Sequence, residues 1–256
     1  MANETKRQAE VAPSEPELPG QTVVVIGGSA GIGLETARRA RAEGANVILT
    51  ARDPGRLEQA AAELGARSSA AFDATDWDAL DRFFAGLPGP VDHVMVTGPG
   101  PYYAPLAELD RERARRDWDD HVWLAVAVAQ NAVGRVKTGG TLLFMGGTGG
   151  RSRGPGLSLI AAGTAAMPAL IANLAVEVAP IRVNLIAAGF VDTPLSASLL
   201  GDDLEARREQ LRATLPTGRV VGPADVAALA VHIMTNTALT GATYDIDGGQ
   251  QLLVRG

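Results

Sequence analysis

Thr22-Val23-Val24-Val25-Ile26-Gly27-Gly28-Ser29-Ala30-Gly31-Ile32-Gly33 is the stretch on which the reading of this chain turns. Its first five residues are β-branched and carry no polar alternation, the pattern of a strand covered on both faces. Gly27, Gly31 and Gly33 then break the run ahead of an Ala- and Arg-rich stretch of helical character that ends near Gly44. Strand, glycine turn and helix in that order are the opening unit of a parallel α/β sheet.

Outward from this unit the same alternation continues. Apolar or β-branched runs at 46–50, 69–72, 93–96, 141–145, 181–186 and 243–246 are separated by helical stretches. This makes about seven strands in a doubly wound parallel sheet with right-handed crossovers, a Rossmann fold. No internal repeat or change of composition divides the chain, so a single domain is expected over 21–256. Residues 1–20, with Pro13, Pro16 and Pro19, read as a disordered tail. The alternation is interrupted only between 193 and 216, where Pro194 and a Glu/Arg-rich helix leave room for a lid.

Bulk composition narrows the function. With 256 residues, 46% of them hydrophobic, the chain can bury a sizeable core. It has no cysteine, which removes disulfides, thiolate nucleophiles and Cys-ligated metals, and a cytoplasmic location is the expectation. A net charge of -6 opposes a nucleic-acid partner. No apolar run is read as reaching the ~18 residues of a membrane span. No His/Asp/Glu cluster has metal-ligand spacing, so no metal is expected. His93, ahead of an apolar strand, reads as a structural residue. The remaining partner class is a small molecule.

The glycine loop suits a dinucleotide. Backbone N–H groups at a helix N-terminus can approach a pyrophosphate where side chains would obstruct it, and the helix dipole favours the anion. The spacing is G-x-x-x-G-x-G, not the common G-x-G-x-x-G. Other marks follow in order: Asp73 after the third strand, Ile181-Arg182-Val183-Asn184, Gly189 with Thr193, Gly218-Arg219, and Asp247-Gly248-Gly249. On these residues the chain resembles the short-chain dehydrogenase/reductase family over nearly its whole length. The resemblance implies a nicotinamide dinucleotide on Gly27, Ser29, Gly31, Ile32 and Gly33. It further implies that Asp73 and Ala74 hold the adenine, Thr97 and Gly98 border the ribose, and Gly189 and Thr193 border the nicotinamide. The bland alternative for Asp73 is a helix cap before Trp77.

At the end of the second strand an acidic side chain would bind the ribose 2′-OH and repel a 2′-phosphate. Ala51 stands there and Arg52 follows, which favours NADP over NAD. Asp53 before Pro54 reads as a helix cap with proline at the first helical position.

The family's acid–base residues are an asparagine, a serine, a tyrosine and a lysine four residues after the tyrosine. Their matching positions here are His121, Gly147, Ile160 and Thr164. Misalignment does not restore them. The tyrosines are Tyr102, Tyr103 and Tyr244, the lysines are Lys6 and Lys137, and no tyrosine precedes a lysine by four. Removing a positioned general acid costs about 10²- to 10⁴-fold in rate, so His121 or Tyr103 is the candidate substitute. Arg151, Arg153 and Thr148 lie nearby in sequence. The expectation is an atypical NADP-dependent oxidoreductase acting on a small carbonyl or alcohol. Its alternatives are a cofactor-binding sensor or scaffold subunit, or a non-redox catalyst in the same cleft. A homo-oligomer, dimer or tetramer, is implied by the resemblance alone.

Overall fold

A computed structural model describes residues 17–98, 100–151 and 153–253. Most of the expected tail (1–16), Pro99 and the last three residues of the expected domain lie outside them. The chain runs β1 (Thr22–Ile26), α1 (Gly31–Ala42), β2 (Asn46–Ala51), α2 (Pro54–Leu64), β3 (Ser68–Ala71), α3 (Trp77–Ala85) and β4 (Val91–Val96). There follow α4 (Arg111–Trp118), a π-turn (Asp119–Trp123), α5 (Leu124–Ala132), β5 (Val136–Gly147), α6 (Ser158–Glu177) and β6 (Arg182–Ala188). The chain then continues through α7 (Pro194–Leu200), α8 (Leu204–Thr214), α9 (Pro223–Thr235) and β7 (Thr243–Ile246).

All seven strands join one parallel sheet in the order β3-β2-β1-β4-β5-β6-β7. The all-apolar composition of β1 follows from its place at the centre. Val24 and Ile26 enter one core with Val94, Leu142 and Phe84, while Val23 and Val25 enter the other with Val47, Leu49 and Ala37. Two apolar faces rule out the polar alternation of a one-sided strand. The strand order reverses beside β1, and a crevice opens there at the carboxyl ends.

Three expectations are corrected. Leu18 was assigned to the tail, yet it is fully buried, and its N–H donates to Glu43 O at 2.9 Å. Packing therefore begins before Gln21, because Leu18 closes the bottom of the core containing Val23 and Val47. Strand β5 is longer than the expected 141–145. Pairing with β4 begins at Val91↔Val136 and resumes at His93↔Thr141, so Lys137-Thr138-Gly139-Gly140 form a bulge through which the register shifts. Finally, α6 has 20 residues and is by length and composition apolar enough to cross a membrane. Here it packs on the sheet through Met167, Ile171 and Leu174, while Val176 on the same helix is exposed.

Two polar groups fasten this frame. Buried Arg182 donates to the carbonyls of Gly139, Ile233, Met234, Asn236 and Leu239, closing the C-terminal end of α9 without a carboxylate partner. Buried His93 holds Nε2 2.7 Å from Gln21 Oε1. Burial pushes the His93 pKa from 6.5 down to about 4, with the Asp92 charge opposing the shift. Because the ring is held neutral, the folded chain binds fewer protons than the unfolded one, and stability falls as pH drops from 6.5 towards 4. Urea unfolding through that window should lose about 3 kcal/mol. His93→Gln should remove this part of the slope, and an unchanged slope would contradict the assignment.

Candidate active site

The crevice above β1 and β4 has a volume of about 280 Å³. Its floor is the glycine loop. A Cβ on Gly33 would stand 2.2 Å from Gly27 O, and one on Gly27 would stand 2.2 Å from Thr97 Oγ1. Neither position can carry a side chain while α1 lies this close to β1. The Thr97 hydroxyl lies 3.1 Å from Ile26 O and 3.0 Å from Gly27 O, pinning the loop to the end of β4.

The loop's own N–H groups divide into two sets. Those of Gly27 and Gly28 donate to Thr50 O, each at 2.9 Å, which fixes the turn. Helix α1 starts at Gly31 behind Ala30, which offers no side-chain cap, and there is no acidic residue in the first turn. By contrast α2 and α3 are capped by Asp53 and Asp76. The first turn of α1 therefore presents uncapped N–H donors and a positive dipole end to the crevice, as an anion site does.

Most of the expected cofactor residues converge on this space. Ser29, Gly31, Ile32, Arg52, Asp73, Ala74, Thr97, Gly98 and Thr193 all line it. Asp73 does not cap the following helix, a role taken by Asp76; its Oδ1 accepts from Thr75 N at 3.0 Å and Thr75 Oγ1 at 2.8 Å. Thr193 caps α7, accepting from Ser196 N at 3.2 Å, so one residue both starts this helix and borders the crevice. Gly189 is not in the lining. A Cβ there would meet Asp247 Cβ at 2.6 Å, so its glycine serves the packing of β6 against the turn after β7.

Sequence reasoning missed Arg56, Asp120 and Leu124, which also line the crevice. Asp120 lies in the π-turn. Burial raises its pKa, the neighbouring His121 and Arg52 charges oppose that, and Asp73 and Asp117 add to it. Nothing in the local sequence announces a π-turn. The cap Asp53, however, was legible, and an arginine three residues past a cap can reach back to it.

Gly147, Ile160 and Thr164, matched to the family's acid–base positions, do come together. A Cβ on Gly147 would lie 3.5 Å from Thr164 Cγ2, and one on Gly149 would lie 3.8 Å from Ile160 Cγ1. The Thr164 hydroxyl donates to Ile160 O at 2.7 Å within its own helix, and Ile160 is buried. Arg151 is tied to Asp245 by two hydrogen bonds of 2.6 and 2.8 Å, and Arg153 donates to Gly150 O. His121 stands in the π-turn. Its Nδ1 is 2.7 Å from Asp117 O and 3.8 Å from Asp117 Oδ1, and its Cδ2 and Nε2 face Gly98. Tyr103 is 53% exposed and is not part of the crevice lining. Tyr102 is a wall: its ring lies under Arg113 at 4.3 Å and its hydroxyl accepts from Asp110 N. Neither His121 nor Tyr103 lines the crevice itself, although the His121 ring faces Gly98, which does.

Comparison with known proteins gives concordant results. A family model described as enoyl-(acyl carrier protein) reductase matches residues 27–251. The chain is similar to 3beta-hydroxysteroid dehydrogenase 1 of Eggerthella lenta, with 32% identity covering 92% of this chain and 95% of that one. Its fold matches the MalC reductase/Diels-Alderase of Malbranchea aurantiaca with a TM-score of 0.83 at 26% identity, over 93% of this chain and 99% of that one. It also matches a small-chain dehydrogenase in complex with NADPH, with a TM-score of 0.78 at 28% identity, over 91% and 100%.

The close approach of α1 to β1 makes one substitution decisive. Gly33→Ala should weaken binding of any nicotinamide dinucleotide by at least about tenfold and lower the melting temperature by several degrees. Fluorescence titration and thermal unfolding check both, and a fully bound, equally stable variant would contradict the geometry.

Proposed function

Because this chain belongs to the short-chain dehydrogenase/reductase family, we propose that it is an NADP(H)-dependent oxidoreductase for a small carbonyl or alcohol, with the usual acid–base residues replaced. The observation that carries this reading is the crevice. An uncapped helix end faces it, and β2 ends in Ala51 followed by Arg52, where a carboxylate would reject a 2′-phosphate. The structural neighbour solved with NADPH supports the same cofactor class. Asp53 also borders the crevice, but its carboxylate accepts from Arg56 N at 3.0 Å and Arg56 Nε at 2.9 Å, the arrangement of a helix cap.

When bound, the nicotinamide supplies or accepts a hydride. The protein's share is to orient it. The first turn of α1 takes the pyrophosphate, Asp73 and Ala74 flank the adenine, Thr97 and Gly98 border its ribose, and Thr193 stands at the nicotinamide end. The proton falls to His121. With Nδ1–H donated to the Asp117 carbonyl, Nε2 is the ring atom left towards Gly98, and it carries a transferable proton when the imidazole is charged. Tyr103 is the weaker candidate because of its exposure.

A second reading has its own support. The wall made by Gly147, Ile160 and Thr164 offers no free hydroxyl or cation, since Thr164 is spent on its own helix. The structural neighbour from Malbranchea aurantiaca is named both a reductase and a Diels-Alderase. A site that shapes an apolar substrate without moving a proton, or that binds cofactor without turnover, would look the same.

Titration with NADPH and NADH followed by single-turnover oxidation against ketones, aldehydes and quinones separates the readings. The first predicts tight NADPH binding with turnover of a carbonyl. It also predicts that His121→Ala lowers kcat by about 10²- to 10⁴-fold with the cofactor Kd unchanged. Tight binding with no turnover selects the second, and no binding of either cofactor overturns both. A homo-oligomer is expected from the family habit, to be checked by light scattering.

A further inference from the structure

We infer that Gln250, in the turn beyond β7, is a positioning residue for the nicotinamide end of the crevice: its side chain holds the backbone at Phe190, and through it the segment that ends at Thr193. This rests on the proposed NADP(H) reading and adds to it a residue that does not line the crevice.

Residues 189–193 run from the carboxyl end of β6 to the start of α7 and belong to neither element. Three N–H groups anchor that run. Gly189 N donates to Ile246 O at 3.3 Å and Asp192 N to Val221 O at 2.9 Å, both of them backbone carbonyls. Between them, Phe190 N donates to Gln250 Oε1 at 2.9 Å, an anchor that depends on one side chain. A backbone N–H can donate only to the oxygen of an amide, so the bond also fixes which way the Gln250 amide is turned. A Cβ on Gly189 would stand 2.9 Å from Gln250 Oε1, and the glycine leaves the side chain its path.

Gln250 is itself held firmly. Buried Asp247 accepts from Gly249 N at 2.8 Å and from Gln251 N at 2.9 Å, one on each side of it. Gly248 and Gly249 have φ of 65° and 87°, and this lets the chain fold back on Asp247. The turn also reaches a second loop. Gln251 Nε2 donates to Asp245 Oδ2 at 2.9 Å, and the same carboxylate takes the two bonds from Arg151 in the loop beyond β5.

The segment delivers Thr193 to the crevice. A Cβ on Gly31 would lie 3.6 Å from Thr193 Cβ, so Thr193 packs against the first turn of α1. If Gln250 loses its oxygen, Phe190 N–H loses its partner and the segment takes other paths in the free protein. A ligand that needs Thr193 in place must then select a less populated arrangement, and its apparent affinity falls by that fraction. A ligand confined to the adenine end, beside Asp73 and Ala74, is indifferent to the change.

Calorimetric titration of the full chain, wild type and Gln250→Met, with NADPH and with adenosine 2′,5′-bisphosphate tests this. The bisphosphate carries the adenine half of the cofactor and no nicotinamide, and methionine has a similar length without an amide oxygen. A positioning role predicts that Gln250→Met weakens NADPH about tenfold and the bisphosphate by less than about twofold. Equal weakening of both ligands overturns the role, because Gln250 then serves the fold as a whole, and unchanged binding of both overturns it too. Hydrogen exchange of the wild type needs no variant. On addition of NADPH, exchange should slow together in peptides covering 189–193 and 248–252, and slowing in the first alone would contradict the coupling. If the wild type binds neither ligand, the NADP(H) reading itself fails and the role of Gln250 falls with it.

Discussion

The contact on which the rest depends is the approach of the α1 backbone to the end of β1. Gly33 is packed against Gly27 O so closely that a methyl group has no room, and the Thr97 hydroxyl holds Gly27 from the other side. That contact sets where α1 begins, and so where its uncapped N–H groups point. It also joins β1 to β4 at the place where the strand order reverses. The crevice is a consequence of both. A longer loop or a bulkier residue would push the helix away, and the donors would face solvent instead of a ligand.

The two ends of the crevice obey different electrostatics. At the α1 end, uncapped N–H groups and the exposed Arg52 border the crevice. At the other end, the positions that usually supply a proton are filled by Gly147, by buried Ile160 and by Thr164 bonded to its own helix. A misplaced general acid costs about 3 to 5 kcal/mol of barrier, comparable to the whole contribution of an anion-binding helix end and its arginines to ground-state affinity. Tight binding and slow chemistry are therefore compatible in one site. His121 stands between the two ends, with one ring nitrogen committed to Asp117 and the other towards Gly98.

Much of the fold was legible because the parallel sheet writes itself as apolar runs. The bounds of β1 and β7 match residue for residue, and the glycine loop and its helix stand where expected. The failures share a cause. Leu18 looks like part of a Pro-rich tail but is drawn into the core, and the bulge that lengthens β5 is set by its pairing with β4; both are contacts distant in sequence. At the site, Ser29 and Arg52 were readable from the glycine loop and the end of β2, while Asp73 and Thr193 came from the family resemblance; all four line the crevice. The role of Gly189 was not readable, since its constraint comes from Asp247 in a segment far along the chain. Asp120 was hidden by the π-turn, which turns its side chain into the crevice without any marker in the local composition.

The most direct test of the account is a crystal structure of the chain grown with NADPH. The account predicts the pyrophosphate over the first turn of α1 and the 2′-phosphate within about 3.5 Å of the Arg52 guanidinium. The nicotinamide should lie towards Thr193, on the side of the crevice bounded by Gly98 and His121. A cofactor bound outside this crevice, or one whose 2′-phosphate turns away from Arg52 into solvent, would contradict it.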